Sequence, residues 1–176
     1  MPARFSQTGQ PDDLFRRIRA RLSAGRYRRQ IVSAVILPKS AACFDGRLQM
    51  QLPADFRVRS YKKDKAVFAG QRSGLRLTVM RMPFSVPLSR LTAADLCGAM
   101  SGVLPEAVGL PELRRGLLHR FHTLTARWDS AVLYLIRVRG VLYLLLMTGI
   151  TPQNADAVMP VLRAVGLRPD VNRKTV

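Results

Sequence analysis

Apolar and polar positions alternate with a period of two along much of this chain. Leu48, Met50 and Leu52 alternate with Gln49 and Gln51, which predicts a half-buried strand ending at Pro53. Ala54–Arg59 reads as extended, with Phe56 and Val58 inward, and Tyr61–Lys65 as a charged connection. Ala66–Ala69 is expected as a short strand and Gly70–Gly74 as its turn. Leu75–Met82 then gives a strand with Leu75, Leu77 and Val79 on one face and Thr78, Met80 and Met82 on the other. Phe121–Ala126 alternates in the same way, up to a corner at Arg127-Trp128-Asp129.

The most apolar stretch is Ala131–Ile150. Its twenty residues would suit a membrane span, but Arg137, Arg139 and Gly140 fall at its middle, where arginine is costly. A hairpin fits instead, with Val132–Val138 and Val141–Thr148 as strands and Arg139-Gly140 as the turn. Val132, Tyr134, Ile136 and Val138 form one face of the first strand, Leu133 and Leu135 the other. In the second, Val141, Tyr143, Leu145 and Met147 oppose Leu142, Leu144 and Leu146. Strands apolar on both sides belong at the centre of a sheet covered on both faces.

Two segments switch to helical spacing. Thr92 with Asp95 reads as a capping box, and Leu91 with Leu96 as a hydrophobic staple. Leu96, Met100, Val103 and Leu104 then face the sheet, and Cys97 is expected as a small buried residue. The second helix is expected from Thr151-Pro152 to Gly166, with Ala155, Val158, Met159, Leu162 and Val165 inward and Pro160 bending or splitting it. Leu113–His119 lacks a clear period and reads as a short helix or loop. The order is therefore β-β-β-α-β-β-β-α. That order predicts an α+β domain: a mostly antiparallel six-to-seven-stranded sheet with helices on both faces. Its limits are 44–170, preceded by a basic segment 1–43 and followed by a tail 171–176.

Charge changes the picture at the N-terminus. The chain carries 29 Lys+Arg against 11 Asp+Glu, net +18, and 24 of those cations are arginine. One reading is a solvated basic face; the other is a polyanionic partner, nucleic acid or an anionic membrane surface. Residues 1–43 hold nine cations against Asp12 and Asp13. Within them, PDDLFRRIRARL predicts an amphipathic helix whose stripe is Leu14, Phe15, Ile18 and Leu22. Arg16, Arg17, Arg19 and Arg21 on that helix, with Arg26, Arg28 and Arg29 after it, are the candidate polyanion contacts. The alternative is a helix docked on the domain with its arginines in water, or an arm. Tyr61, Lys62, Lys63 and Lys65 are further cationic or aromatic candidates for phosphate contact. Ile31–Leu37, followed by Ser40-Ala41-Ala42-Cys43, resembles a degenerate signal sequence with a lipoprotein-type site. The apolar run is short, Pro38-Lys39 interrupts it and the basic part is long. Cytoplasmic placement is the expectation, and envelope association with processing near Cys43 the alternative.

The order of elements, with LQMQLPADF (48–56), FAGQRSGLRLTVMRM (68–82) and LYLLLMTGITPQNADAVMPVLRAVGL (142–167), resembles the PsbP-like α/β/α sandwich superfamily, in its DcrB-like bacterial branch. That superfamily takes in photosystem accessory subunits, a nuclear import factor that binds a small GTPase, and bacterial envelope proteins. The resemblance covers about 44–168 and has no signature motif. It implies a fold, and a non-enzymatic binding or accessory role through an unknown protein partner.

Catalytic and metal chemistry find little support. His119 and His122 are the only histidines, and on a strand they would point to opposite faces. Gly70–Gly74 lacks the length and lysine of a phosphate loop. The carboxylates are scattered, and Ser73 has no base near it in sequence. Two distant cysteines make neither a disulfide framework nor a zinc pattern. No cofactor and no enzymatic activity are therefore expected.

Overall fold

The computed structural model describes residues 16–19, 40–104 and 109–168. Its elements in chain order are β1 (Ser40–Cys43), β2 (Leu48–Gln51), β3 (Phe56–Lys62), β4 (Lys65–Gly70) and β5 (Arg76–Pro83). A 3₁₀ turn, Leu88–Arg90, and helix α1 (Ala93–Met100) follow. Next come β6 (Glu112–Leu118), β7 (Phe121–Arg127), β8 (Ala131–Val138) and β9 (Val141–Thr148). A 3₁₀ turn, Ala155–Ala157, helix α2 (Val158–Arg163) and β10 (Gly166–Leu167) end the fold. Residues 16–19 are helical as well.

Seven strands form one antiparallel sheet in the order β3-β4-β5-β9-β8-β7-β6, and β1-β2-β10 form a second, small sheet. The central hairpin lies where its composition requires. β9 is the middle strand, with β8 beside it, and the Arg139-Gly140 turn has both φ angles positive (44° and 79°), the geometry of a type I′ hairpin.

Each face of the large sheet has its own apolar layer. On face A, Phe56, Ala66, Phe68, Leu77, Val79, Val132, Ile136, Tyr143, Leu145 and Met147 pack under the small sheet and α2. On face B, Met80, Met82, Leu124, Ala126, Leu133, Leu135, Leu142, Leu144 and Leu146 pack under α1 and the loop before it. The face A layer spans β3 to β8 and the face B layer spans β5 to β7. Only β5, β9 and β8 therefore contribute to both. This offset explains why the central hairpin and β5 are apolar on both sides.

α1 begins as its sequence predicts. Thr92 Oγ1 accepts from the Asp95 N–H (3.2 Å), and Asp95 Oδ2 accepts from the Thr92 N–H (2.9 Å). Leu91 and Leu96 are both buried in the face B layer. Near the other helix, Gly149 (φ 76°) lies so close to the Gly74 backbone that a Cβ would sit 2.5 Å from the Gly74 carbonyl oxygen. Asn154 Nδ2 donates to the Ser73 and Gly149 carbonyls at 2.8 and 2.9 Å and locks the same corner.

Several expectations are corrected. Leu113–His119 is not a helix or loop; Glu112–Leu118 is the edge strand β6. Exposure of most of its residues erases the alternation that would reveal it. The Leu48–Gln51 strand belongs to the small sheet, not the large one. Pairing reaches back to Ser40, before the expected start at 44. Tyr61, Lys62 and Lys65 lie in strands, and Lys63-Asp64 alone makes the turn. The last helix starts later than Thr151: the Thr151 N–H is taken by Asn154 Oδ1 (2.8 Å) in a turn. Pro160 falls in the first turn of α2, where no intrahelical donor is required, so it follows a split between the 3₁₀ and α segments. The later start shifts the stripe, so Val158, Val161, Leu162 and Val165 are buried while Met159 is exposed. Cys97 is half-exposed, with Sγ 3.5 Å from the Gly109 carbonyl oxygen.

Candidate functional site

Of the seven candidate arginines, Arg16, Arg17 and Arg19 are within the described residues; Arg21, Arg26, Arg28 and Arg29 lie outside them. Ile18 anchors this segment. It is 4% exposed and sits among Phe84, Leu91, Leu96, Met100, Leu135 and Leu144, inside the face B layer. The docked-helix alternative thus describes residues 16–19. Arg19, itself exposed, reaches along the surface to the C-terminal end of α1. Its Nη2 donates to the Gly98 carbonyl and to Ser101 Oγ (3.3 Å), and its Nε reaches the Ala99 carbonyl (3.5 Å). A guanidinium there satisfies carbonyls that the helix end leaves open and opposes the helix dipole. Arg16 and Arg17 are exposed on the same segment.

The sheet brings further cations to the same face. Strand pairing places Arg57 beside Ala69 and Arg76, and Lys62 beside Lys65 and Met80, all on face B. β3, β4 and β5 together hold six cations and no carboxylate. Lys62 and Lys65 lie directly opposite one another. Burial, and then the Lys62 charge, hold the Lys65 ammonium below its usual range. Two strand spacings, about 10 Å, separate the β4 row from the β9 row on which Ile18 sits. Arg81 points to face A, where Asp64 holds it at 3.1 Å over the Phe44 ring. Tyr61 is on face A too, and its hydroxyl accepts the Phe44 N–H at 3.0 Å. The sequence reading thus found the lysines of this margin. It missed Arg57 and Arg76, which join them only through strand register.

The opposite end of the sheet has a different surface. On face A, β6 and β7 present Glu112, Arg114, Gly116 and Arg127 as exposed positions, with Leu118, Phe121, Thr125 and Tyr134 half-buried. Burial, offset in part by a hydrogen bond with Thr123, raises the Tyr134 hydroxyl above its usual value. Arg114 pairs with Glu112 at 2.9 Å in an exposed contact. Arg115 points to face B and donates to the Leu91 carbonyl (3.0 Å). His119 is in the β6–β7 turn (φ 56°), and His122 is on face B of β7.

Two remaining sites are structural. Cys43 is fully buried in β1, and burial pushes its thiol up to about 12. In this fold a lipid on Cys43 would have to enter the core, and cleavage before it would remove three of the four β1 residues. Burial would raise the Asp55 carboxyl, but hydrogen bonds from Ser73 and Arg72 outweigh it and hold the group below its usual range. An open groove of about 340 Å³ lies between the end of β2 and α2, lined by Gln51, Leu52, Pro53, Ala157 and Pro160. Among the described residues, no three His, Cys, Asp or Glu side chains gather at one place, and no helix is long and apolar enough to cross a membrane.

No protein family matches the sequence, and no curated protein matches it. Solved structures do. The solution structure of cyanobacterial PsbP (CyanoP) from Synechocystis sp. PCC 6803 superposes with a TM-score of 0.55 at 14% identity, over 78% of this chain and 96% of that one. A crystal structure from Bacteroides thetaiotaomicron VPI-5482 superposes with a TM-score of 0.51 at 8% identity, over 76% of this chain and 50% of that one. At these identities the likeness is one of architecture, and the architecture is PsbP-like, an α+β fold built on a seven-stranded antiparallel sheet.

Proposed function

We propose that this chain is a non-enzymatic binding or accessory module that works through protein–protein contact. The observation that carries the reading is the β6–β7 end of the sheet. There the face A layer thins to the half-buried Leu118, Phe121 and Tyr134, and a regular strand pair exposes Glu112, Arg114 and Arg127 on face A and Leu117 on face B. Binding residues held on a rigid scaffold form a ready interaction surface. The resemblance to the PsbP-like superfamily, whose fold the solved neighbour shares, implies an accessory role and supports the same reading. Pull-down with the full chain from its native host tests the reading. A defined protein partner held at near-equal stoichiometry is expected; turnover of a substrate in a broad activity screen overturns it.

A second reading rests on charge. Arg16 and Arg17 share face B with Arg57, Lys62, Lys65 and Arg76, and Arg21, Arg26, Arg28 and Arg29 add to the same segment of sequence. A polyanion, whether nucleic acid or an anionic membrane surface, suits such a margin. Its binding would weaken steeply with salt and with Arg17→Glu plus Lys62→Glu. Elution from heparin that ignores salt overturns this second reading.

A further inference from the structure

We propose that the outer edge of β6 receives an extended segment of a partner protein, rich in alternating acidic and apolar residues, as an eighth strand of the large sheet. The inference rests on the interaction-module reading and gives it a surface and a kind of partner. Among the described residues, β6 pairs with β7 alone, over seven consecutive positions without a bulge. An edge strand turns a row of backbone N–H and C=O groups outward, and another extended backbone is the ligand that matches such a row.

The side chains along that edge narrow the partner. Leu117 is 64% exposed on β6, and Leu110, just before the strand, is 68% exposed. They are the two most exposed large apolar side chains among the described residues. Arg114 and Arg115 lie beside them, and Arg120 and Arg127 are on the adjoining turn and strand, with Glu112 as the one carboxylate of β6. The Arg114–Glu112 pair is open to solvent and can exchange for a partner carboxylate at little cost. A strand added here meets Arg114 on face A, and on face B it meets Leu113 and Leu117 flanking Arg115, whose guanidinium is held by the Leu91 carbonyl.

A second copy of the chain fits less well. Full antiparallel pairing of β6 with its twin about Arg115 sets that arginine opposite itself, and like charges directly opposite oppose pairing. The other edge of the sheet also resists a strand, since β3 has a bulge at Arg59 and carries Arg57 and Lys62.

Decapeptides selected from a random displayed library on the full-length chain test the proposal. The selected sequences are expected to alternate carboxylates with apolar residues, and to slow amide exchange in 112–118 but not in 56–62. N-methylation of the alternate peptide residues that face β6 should weaken binding about tenfold or more, because it deletes backbone hydrogen bonds and keeps the side chains. Arg114→Glu and Leu117→Lys should each weaken it severalfold with the melting temperature unchanged. The proposal is overturned if no peptide is selected, if protection appears elsewhere, if N-methylation has no effect, or if the chain dimerises through β6 instead. A host partner that binds the Arg114→Glu, Leu117→Lys variant as well as the parent overturns the β6 assignment and leaves the module reading standing. Peptides that meet every expectation, with no host partner captured, support the edge and remove the support for a resident protein partner.

Discussion

At the β3 end of the large sheet, the small sheet and α2 roof face A, and face B carries Arg57, Lys62, Lys65 and Arg76 outside either apolar layer. At the β6 end the arrangement reverses: the apolar layer is on face B, under α1, and the side chains beyond it are on face A. The edges differ as well. β3 is bulged and cationic, while β6 is regular and carries an exposed leucine. One sheet with two staggered roofs thus has two dissimilar margins. Charge dominates one, and backbone and apolar surface dominate the other. On the two readings proposed above, such a sheet would keep a non-specific electrostatic contact apart from a specific one.

The stagger makes a sharp prediction about core substitutions at each end. Phe68→Ala, on face A of β4, removes a side chain only 2% exposed and should cost about 3–5 kcal/mol. Leu124→Ala, on face B of β7, should cost about 2–5 kcal/mol. Lys62→Ala and Thr125→Ala, on the opposite faces at the same ends, should each cost well under about 1 kcal/mol. Urea unfolding of the four variants measures this. Equal losses on both faces at either end of the sheet would mean that the roofs are not staggered.

The next largest effect tests the corner that holds the face A roof in place. Gly149→Ala adds a Cβ against the Gly74 carbonyl oxygen at a positive φ, and should cost about 2–3 kcal/mol. Its loss should concentrate at the β3 end. Amide exchange should quicken in α2 and the small sheet, and α1 should keep its protection.

Legibility in the sequence follows the same division. The hairpin Val132–Thr148 is readable because both of its faces are mostly buried and apolar, with Arg139-Gly140 marking the turn. α1 was readable because its cap is local, contained in Thr92 and Asp95. β6 was not, because a strand at an exposed edge has no buried face to imprint a period on ELRRGLL. β1 and β10 have four and two residues, too few for a pattern. Lys62 and Lys65 were visible as cations, but their direct opposition depends on a two-residue turn that the sequence reading placed inside a longer loop. Arg19 shows the limit most clearly. In sequence it is one arginine of a basic helix; in the fold it reaches a helix end about eighty residues away, a contact that no local pattern encodes.

That contact gives a smaller prediction. Arg19→Ala should cost about 1 kcal/mol by leaving the α1 carbonyls without their guanidinium. Arg16→Ala, at an exposed position, should change stability by less than about 0.5 kcal/mol. If polyanion binding belongs to the margin of face B, the order inverts in a heparin assay, where Arg16 and Arg17 matter more than Arg19.

The smallest expected effect distinguishes the two margins by pH. The Lys65 ammonium is held below its usual range, first by burial and then by Lys62, so the folded state releases that proton before the unfolded chain does. Between the folded value and the ordinary lysine range, the unfolded state binds more protons, and stability should rise with pH. Below that window the penalty is fully present. Lys62→Gln should stabilise the protein by a few tenths of a kcal/mol, roughly the size of one opposed like-charge pair, most visibly at low salt. It should also reduce the alkaline rise without abolishing it, since burial is the larger cause. Lys65→Met should remove the rise. Arg114→Gln should leave the alkaline profile unchanged, because β6 lies at the opposite edge of the sheet from Lys62 and Lys65. Urea unfolding of these variants from pH 7 to 10 gives the comparison. An alkaline rise that survives Lys65→Met would assign it to other groups and remove the electrostatic distinction between the two margins.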